Sequence, residues 1–329
     1  MDFGMIDRAY SPPPATRPLI FFALTLFLMG LSMVFPALLS AQLISPQVEG
    51  TPQLPQDIGF PVSVATVYQF PAKVDGGGTL RVFSVNANAA VIRELNQHLK
   101  LGFGLSYEFS DYHFSGLDDF FVARPWNQVQ RLGAGVPILY SFDDKWTLVV
   151  VPSGQIAGEF GADWGNAIVY GGVVAVTYAI RPKSFIGLGV GAYANLDKVS
   201  FFPFIAVNWQ ITDRLRLSNP FRAGPAGPAG LELSYAFTNH WEAGFGGAYR
   251  SYRFRLDNKG PIPNGIGEYE LIPIFARLSY KFSKRLVIDL YGGLTFLNKI
   301  RVNDSDGDEL FRTTHNVAPL VGAAISGNF

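Results

Sequence analysis

Asp111, His113 and Ser115 alternate along one short run, a spacing that could bring an imidazole to a hydroxyl. A histidine that accepts a serine proton turns a weak nucleophile into one able to attack an ester. In extended chain, residues two apart share a face, so His113 and Ser115 would point the same way. No neighbouring motif accompanies them, and the segment reads as the start of a loop. No enzyme is therefore expected, with hydrolysis of a bound lipid at His113 and Ser115 kept as a minor reading. Asn303-Asp304-Ser305-Asp306-Gly307-Asp308-Glu309 is acidic enough to attract calcium. Counted from Asp304, however, glycine falls fourth and His315 holds the twelfth place, where the calcium loop needs glycine sixth and glutamate twelfth. A solvated turn is expected there. His98, His240 and His315 have no second ligand nearby. With no cysteine, disulfides, thiolate metal sites, a cysteine nucleophile and an N-terminal lipid anchor are excluded. No phosphate-cradling loop or zinc pattern occurs, so neither metal nor cofactor is expected.

The elements that would carry such residues announce themselves by alternation. Leu99, Leu101, Phe103, Leu105, Tyr107 and Phe109 are separated by Lys100, Gly102, Gly104, Ser106 and Glu108. A strand with one greasy face and one small or charged face can stand between lipid and water. Only 16% of the 329 residues are charged, below the quarter or so usual in soluble domains. After residue 41 no apolar run reaches the roughly 18–20 residues that a membrane helix needs. The formal charge is zero, so nothing draws the chain to nucleic acid. A transmembrane, antiparallel, up-and-down all-β barrel is expected, with a soluble β-sandwich as the competing class.

Short polar turns at 143–145, 181–183, 212–214, 238–240 and 283–284, with a longer member at 93–98, are flanked by large apolar or aromatic residues such as Trp146, Phe237, Trp241 and Phe282. Rings at one height beside turns form an interfacial girdle. Longer Gly-, Pro-, Asn- and Asp-rich connections fall near 71–78, 111–125, 161–166, 195–198, 219–229, 257–267 and 298–313. Fourteen alternating segments lie between, or twelve if the short 214–218 and its partner belong to a loop. An open edge is not viable in hydrocarbon, so the last strand must pair with the first, near 61–70.

If the apolar parity faces lipid, the other parity carries Lys100, Glu108, Arg131, Glu159, Glu232, Arg277, Lys281 and Asp289 inward, together with Gln155, Asn208, Gln210 and many small residues. Mixed charges among glycines favour a wet lumen, and fourteen strands fall between side-chain-filled barrels and open porins. Either a narrow aqueous path or an inward-folded loop is expected. Arg250, Arg253, Arg255 and Lys259 make a basic patch near the long-loop end. A one-residue β-bulge near Arg250 or Ser251 would turn Arg253 and Arg255 inward; without it they stand on the rim, where lipid A phosphates are natural partners.

Residues 19–39 are almost wholly apolar, follow Arg17 and run into Ser40-Ala41. That pattern predicts a signal segment over 1–41 with an atypical N-terminal extension, an uncleaved anchor being the alternative. Residues 42–59 read as a Pro-containing periplasmic lead-in, and 60–329 as the barrel.

Arg222 through Gly230-Leu231-Glu232-Leu233-Ser234-Tyr235, then Trp241, Tyr249-Arg250-Ser251 and Phe254-Arg255-Leu256, and later Gly293-Leu294-Thr295-Phe296 with Arg301-Val302 and Asp306-Gly307, resemble an uncharacterised bacterial outer-membrane β-barrel family, a domain of unknown function. The resemblance spans most of the chain after about residue 60. It implies outer-membrane assembly and brings no activity with it. Phe329, with Ile325 on its face, resembles the assembly signal read by the barrel-assembly machinery, although Gly327 departs from it. A passive channel or transporter of small solutes is expected. The alternative is a non-conducting barrel that binds partners through its long loops; outer-membrane lipids and lipopolysaccharide are expected neighbours in either case.

Overall fold

The structure, a computed structural model, describes residues 58–116, 124–220, 224–225 and 229–329. The expected signal segment, nearly all of the lead-in and parts of the connections at 111–125 and 219–229 lie outside the described residues. The alternating segments form fourteen staves. They are β1 (Pro61–Lys73), β2 (Thr79–Glu94), β3 (Leu99–Ser115), β4 (Gln128–Gly135 with Ile138–Ser141), β5 (Trp146–Glu159), β6 (Ile168–Arg181) and β7 (Ser184–Asn195). There follow β8 (Lys198–Gln210), β9 (Leu215–Ser218), β10 (Gly230–Ala236), β11 (Trp241–Ala248 with Arg250–Arg255), β12 (Ile266–Lys281), β13 (Leu286–Asn303) and β14 (Glu309–Thr314 with Ala318–Asn328). Neighbouring staves run antiparallel, and β14 pairs with β1 from Leu320↔Gln69 to Asn328↔Pro61. Below that seam Phe60 and Phe329 exchange backbone hydrogen bonds of 3.0 and 3.1 Å. The wall is closed. The choice of fourteen over twelve rests on β9, which is short yet hydrogen-bonded to β8 on one side and to β10 on the other.

The short turns share one chemical device. Asp143, Thr212, Thr238 and Ser283 each accept, on a side-chain oxygen, the backbone N–H groups two and three residues on. Such local bonds satisfy turn donors that no strand partner reaches. Rings pack beside these turns in Trp146–Tyr178, Trp241–Tyr280 and Tyr235–Phe237 pairs. Between the two ends, the outward parity leaves Leu105, Leu132, Val174, Leu188, Ile205, Leu233, Phe245, Leu278, Leu290 and Ile325 exposed. An apolar band carried by stave after stave is a lipid-facing surface, since water would penalise every one of those side chains.

At the long-loop end the wall changes partners. β10 pairs with β11 only as far as Ala248, whereas the upper half of β11 continues beside β12. Its last residue, Arg255, pairs in parallel with Gly158 on β5, whose pairing with β6 has ended at Ile156↔Ile168. The upper sheet therefore closes a second time, joining β11–β14 to β1–β5 and leaving β6–β10 outside. Leu80, Tyr112, Phe114, Trp126, Val129, Ala157, Phe254, Tyr269, Ile300 and Val302 fill this inner ring. Tyr112 touches Trp126 and Tyr269 edge-on at 5.8 Å, a favoured aromatic geometry.

Candidate functional site

The inward parity builds a bore with three charged stations. Nearest the short turns, Arg277 on β12 meets Glu232 on β10 (2.5 Å), Glu242 on β11 (2.7 Å) and Asp289 on β13 (3.3 Å). Ser279 bridges Arg277 to Asp289. Arg216 and Lys281 approach Glu242 at 3.6 and 3.5 Å from the more open side. Among the described residues, three cations thus face three carboxylates across five neighbouring staves. Arg277 and Asp289 are 2% and 0% exposed, so the cluster holds the wall by mutual pairing.

Midway up, Glu108 on β3 lies 3.4 Å from Arg131 on β4 and 3.9 Å from Arg250 on β11. β3 and β11 are not neighbours, so this contact spans the bore. The Arg131 guanidinium lies 4.3 Å from the Tyr252 ring centre, and Arg250 hydrogen-bonds the Tyr252 hydroxyl.

The third station lies above the apolar band. Arg253 pairs with Asp197 of the β7–β8 turn at 2.5 Å. Arg301 reaches Glu268 (3.3 Å) and Glu270 (3.0 Å), with Lys299 at 3.4 Å from Glu270. Burial, reinforced by a hydrogen bond to Glu270, pushes the Glu268 carboxyl up. For Glu270 burial acts the same way, but the hydrogen bond from Glu268 and the nearby Arg301 and Lys299 win and hold it low. Arg255 donates to the carbonyls of Asn166 (3.0 Å), Asn264 (2.8 Å) and Ser305 (3.3 Å), tying three long loops together. Gly307, at φ +98°, packs against the Asp197 carboxylate where a Cβ would stand 2.1 Å away; no larger residue fits.

The sequence-derived residues are thus placed as follows. Glu108, Arg131, Glu232, Arg277, Lys281 and Asp289 face inward and cluster as described. Lys100 stands at the short-turn mouth beside Glu94, 2.9 Å away and half exposed. Glu159, at the top of β5, accepts the backbone N–H groups of Asn127 (2.8 Å) and Asp257 (3.1 Å); burial raises its carboxyl above the usual range despite those bonds. Arg250, Arg253 and Arg255 are buried, and only Lys259 is exposed, so they do not form one patch on the rim. Nor is there a bulge near Arg250. Gly247↔Ile274 and Arg250↔Leu271 keep one register, and the slip falls instead on β13, next to Leu297 at φ 51°. Arg250, Tyr252 and Phe254 point into the inner ring. Arg253 and Arg255 keep the opposite parity, yet they too are internal because the strand end crosses the bore and has protein on both faces. Phe329 and Ile325 lie on the closing strand, where Ile325 faces outward. His113 is exposed, and the Ser115 hydroxyl bonds Thr79 at 2.8 Å.

Two features carried no sequence signal. Two of the small inward residues are covered by rings: Gly189 and Gly191 lie under Phe204 and Phe202. Gly224, between β9 and β10, lies against the inward Tyr291 ring and so stands inside the bore. Glu242 was readable, since Trp241 at the girdle forces its neighbour inward. Asp197 was not, because a loop residue has no parity.

A family model described as "Domain of unknown function (DUF6268)" matches residues 126–328. No curated protein matches the chain. Among solved structures, the COG4313 outer membrane channel from Pseudomonas putida F1 is similar at 13% identity, with 85% of this chain and 100% of that one covered and a TM-score of 0.47. The Pseudomonas putida toluene transporter TodX gives 12% identity, coverage of 84% and 90%, and a TM-score of 0.39. The KdgM porin gives 12%, 81% and 99%, and 0.32.

Proposed function

The chain belongs to the family described as a domain of unknown function (DUF6268), and from that premise we propose that it is a bacterial outer-membrane channel for small solutes, closed in the state seen here. One observation carries the reading: the wall and its obstruction are separate parts. The wall closes through the long β14–β1 seam, while the obstruction is the inturned end of β11 and β12, which among the described residues no continuous ladder joins to the far side. It is held there by the single bridge Arg255↔Gly158, the side chains of Arg250, Arg253 and Arg255, the Asp257 and Asn258 N–H groups on Glu159 and Gly161, and Phe254 packed on Trp126. A segment held by side chains and isolated backbone bonds, with no ladder, is able to swing away without breaching the wall.

Hydrogen bonds from a charged donor are worth about 1.5–3 kcal/mol each. Removing three of them moves a closed–open equilibrium by at least roughly tenfold. Arg255→Ala is expected to raise open probability by about that factor or more in planar bilayers, over a rarely opening parent. Silence from both proteins, with the barrel correctly folded, would end the channel reading. It would leave a non-conducting barrel whose loops around 257–267 and 298–313, tied together at Arg255, hold a preformed surface for a partner. Outer-membrane lipids, lipopolysaccharide, the barrel-assembly machinery that reads Phe329, and small solutes are the partners this reading proposes. His113 and Ser115 are read as non-catalytic, since the Ser115 hydroxyl is engaged with the Thr79 hydroxyl.

A further inference from the structure

We propose that Arg131 is the core of an anion-binding site in the bore, and that its ligand is a small solute bearing a carboxylate. The side chain is 5% exposed, and two of its nitrogens, Nε and Nη2, are buried without a hydrogen-bond partner. Those two N–H groups lie on one edge of the guanidinium and point in parallel, the fork that grips both oxygens of a carboxylate at once. The third nitrogen, Nη1, is the one turned to Glu108, at 3.4 Å. The Tyr252 ring covers the guanidinium face at 4.3 Å, so approach is restricted to the vacant edge.

Charge agrees with geometry. Glu108 lies between Arg131 and Arg250 and offers one oxygen to each, so it does not face the Nε–Nη2 edge of Arg131. A monocarboxylate at that edge would supply the acceptors it lacks. A buried donor pair with no acceptor is costly, and here the cost is carried at a point that joins the fixed wall to the inturned strand. Glu108 and Arg131 belong to β3 and β4, whereas Arg250 and Tyr252 belong to the segment that closes the bore. Displacement of that segment uncovers the fork, so ligand and opening favour each other. Inorganic phosphate also offers paired oxygens. Burying a dianion costs more than burying a monoanion, which favours the carboxylate.

The proposal rests on the channel reading for the solute's route of access, but binding is measurable without conduction. The full chain in detergent would be titrated with sodium acetate, sodium phosphate or sodium chloride at equal ionic strength, reading the thermal unfolding midpoint. Acetate is expected to raise the midpoint saturably, with an apparent affinity severalfold above phosphate and no saturable effect of chloride. R131K keeps the charge but loses the fork, and should weaken acetate at least tenfold. E108Q removes a negative charge beside the fork that repels an incoming anion and should tighten it severalfold. The assignment is overturned by an absent acetate response in the parent, by equal responses in parent and R131K, or by phosphate binding more tightly than acetate. If R131K does not assemble, E108Q decides, and an unchanged affinity overturns the site. Saturable binding in a silent protein would sink the channel reading alone; conduction without saturable binding would sink this one alone.

Discussion

His315 shows what burial does to a single group here. It lies at the long-loop end of β14, 5% exposed, with Nδ1 2.7 Å from the Asn316 carbonyl and Nε2 2.8 Å from the Tyr269 hydroxyl. Burial, only partly offset by that carbonyl and by Asp75, pushes its pKa down to about 4 from 6.5. The folded ring is therefore neutral at pH 5–6, while the unfolded ring is largely charged. Between those two values the unfolded chain binds the extra proton, so stability rises with pH through the window and is complete above about 6.5. A displacement of this size corresponds to about 3 kcal/mol. His315→Gln should flatten the dependence of unfolding on pH between about 4 and 6.5, read by urea denaturation in detergent at fixed ionic strength. An unchanged slope in the variant would place the pH-sensitive group elsewhere. Arg131 teaches the complementary lesson: its two unpartnered nitrogens matter because the third is already engaged.

At the scale of the strand, parity decides what a substitution does. On β7, Leu188 is 71% exposed in the apolar band, while its neighbour Gly189 lies under the Phe204 ring inside. An arginine placed on a lipid face near mid-height costs about 2–4 kcal/mol. Leu188→Arg is therefore expected to lower stability by that amount in a lipid bilayer, with a smaller loss in detergent, where the charge finds water. Equal losses in the two media would mean that the face does not meet lipid. The same alternation was legible in residues 99–109 before any coordinates, and so were the six short turns, because side chains such as Asp143 and Thr238 bond their own backbone. The inturned end of β11 was not legible. The apolar parity switches from Phe245 and Tyr249 to Tyr252, Phe254 and Leu256, a change that a bulge in the wall would produce as well as a strand that leaves it.

For the whole molecule, closure is the dominant constraint. Hydrocarbon offers backbone groups no partner, and each unpaired one costs several kcal/mol. A chain ending at Val317 would lose every β14–β1 pair and expose the edges of both β1 and β13. It should fail to give the compact, heat-modifiable species of a folded barrel on unheated denaturing gels, whereas the full chain should give it. A truncated chain that still migrated as a folded barrel would contradict the need for the seam. The bore follows from the same geometry: fourteen staves enclose more space than wall side chains fill, and the chain occupies it with Gly224 against Tyr291 and the inner ring at Phe254.

The sequence by itself determined the barrel, its closure and the identity of most inward charges. These depend on period-two alternation and on local turn chemistry, which are properties of neighbours along the chain. Only the tertiary structure decided that the bore is occupied, that Arg250, Arg253 and Arg255 face three different environments, and that Glu108 meets Arg250 across it. Those outcomes depend on which distant strand edge is free to accept a partner. The edge of β5 beyond Ile156 is free because its pairing with β6 ends at Ile168, and Arg255 takes it at Gly158.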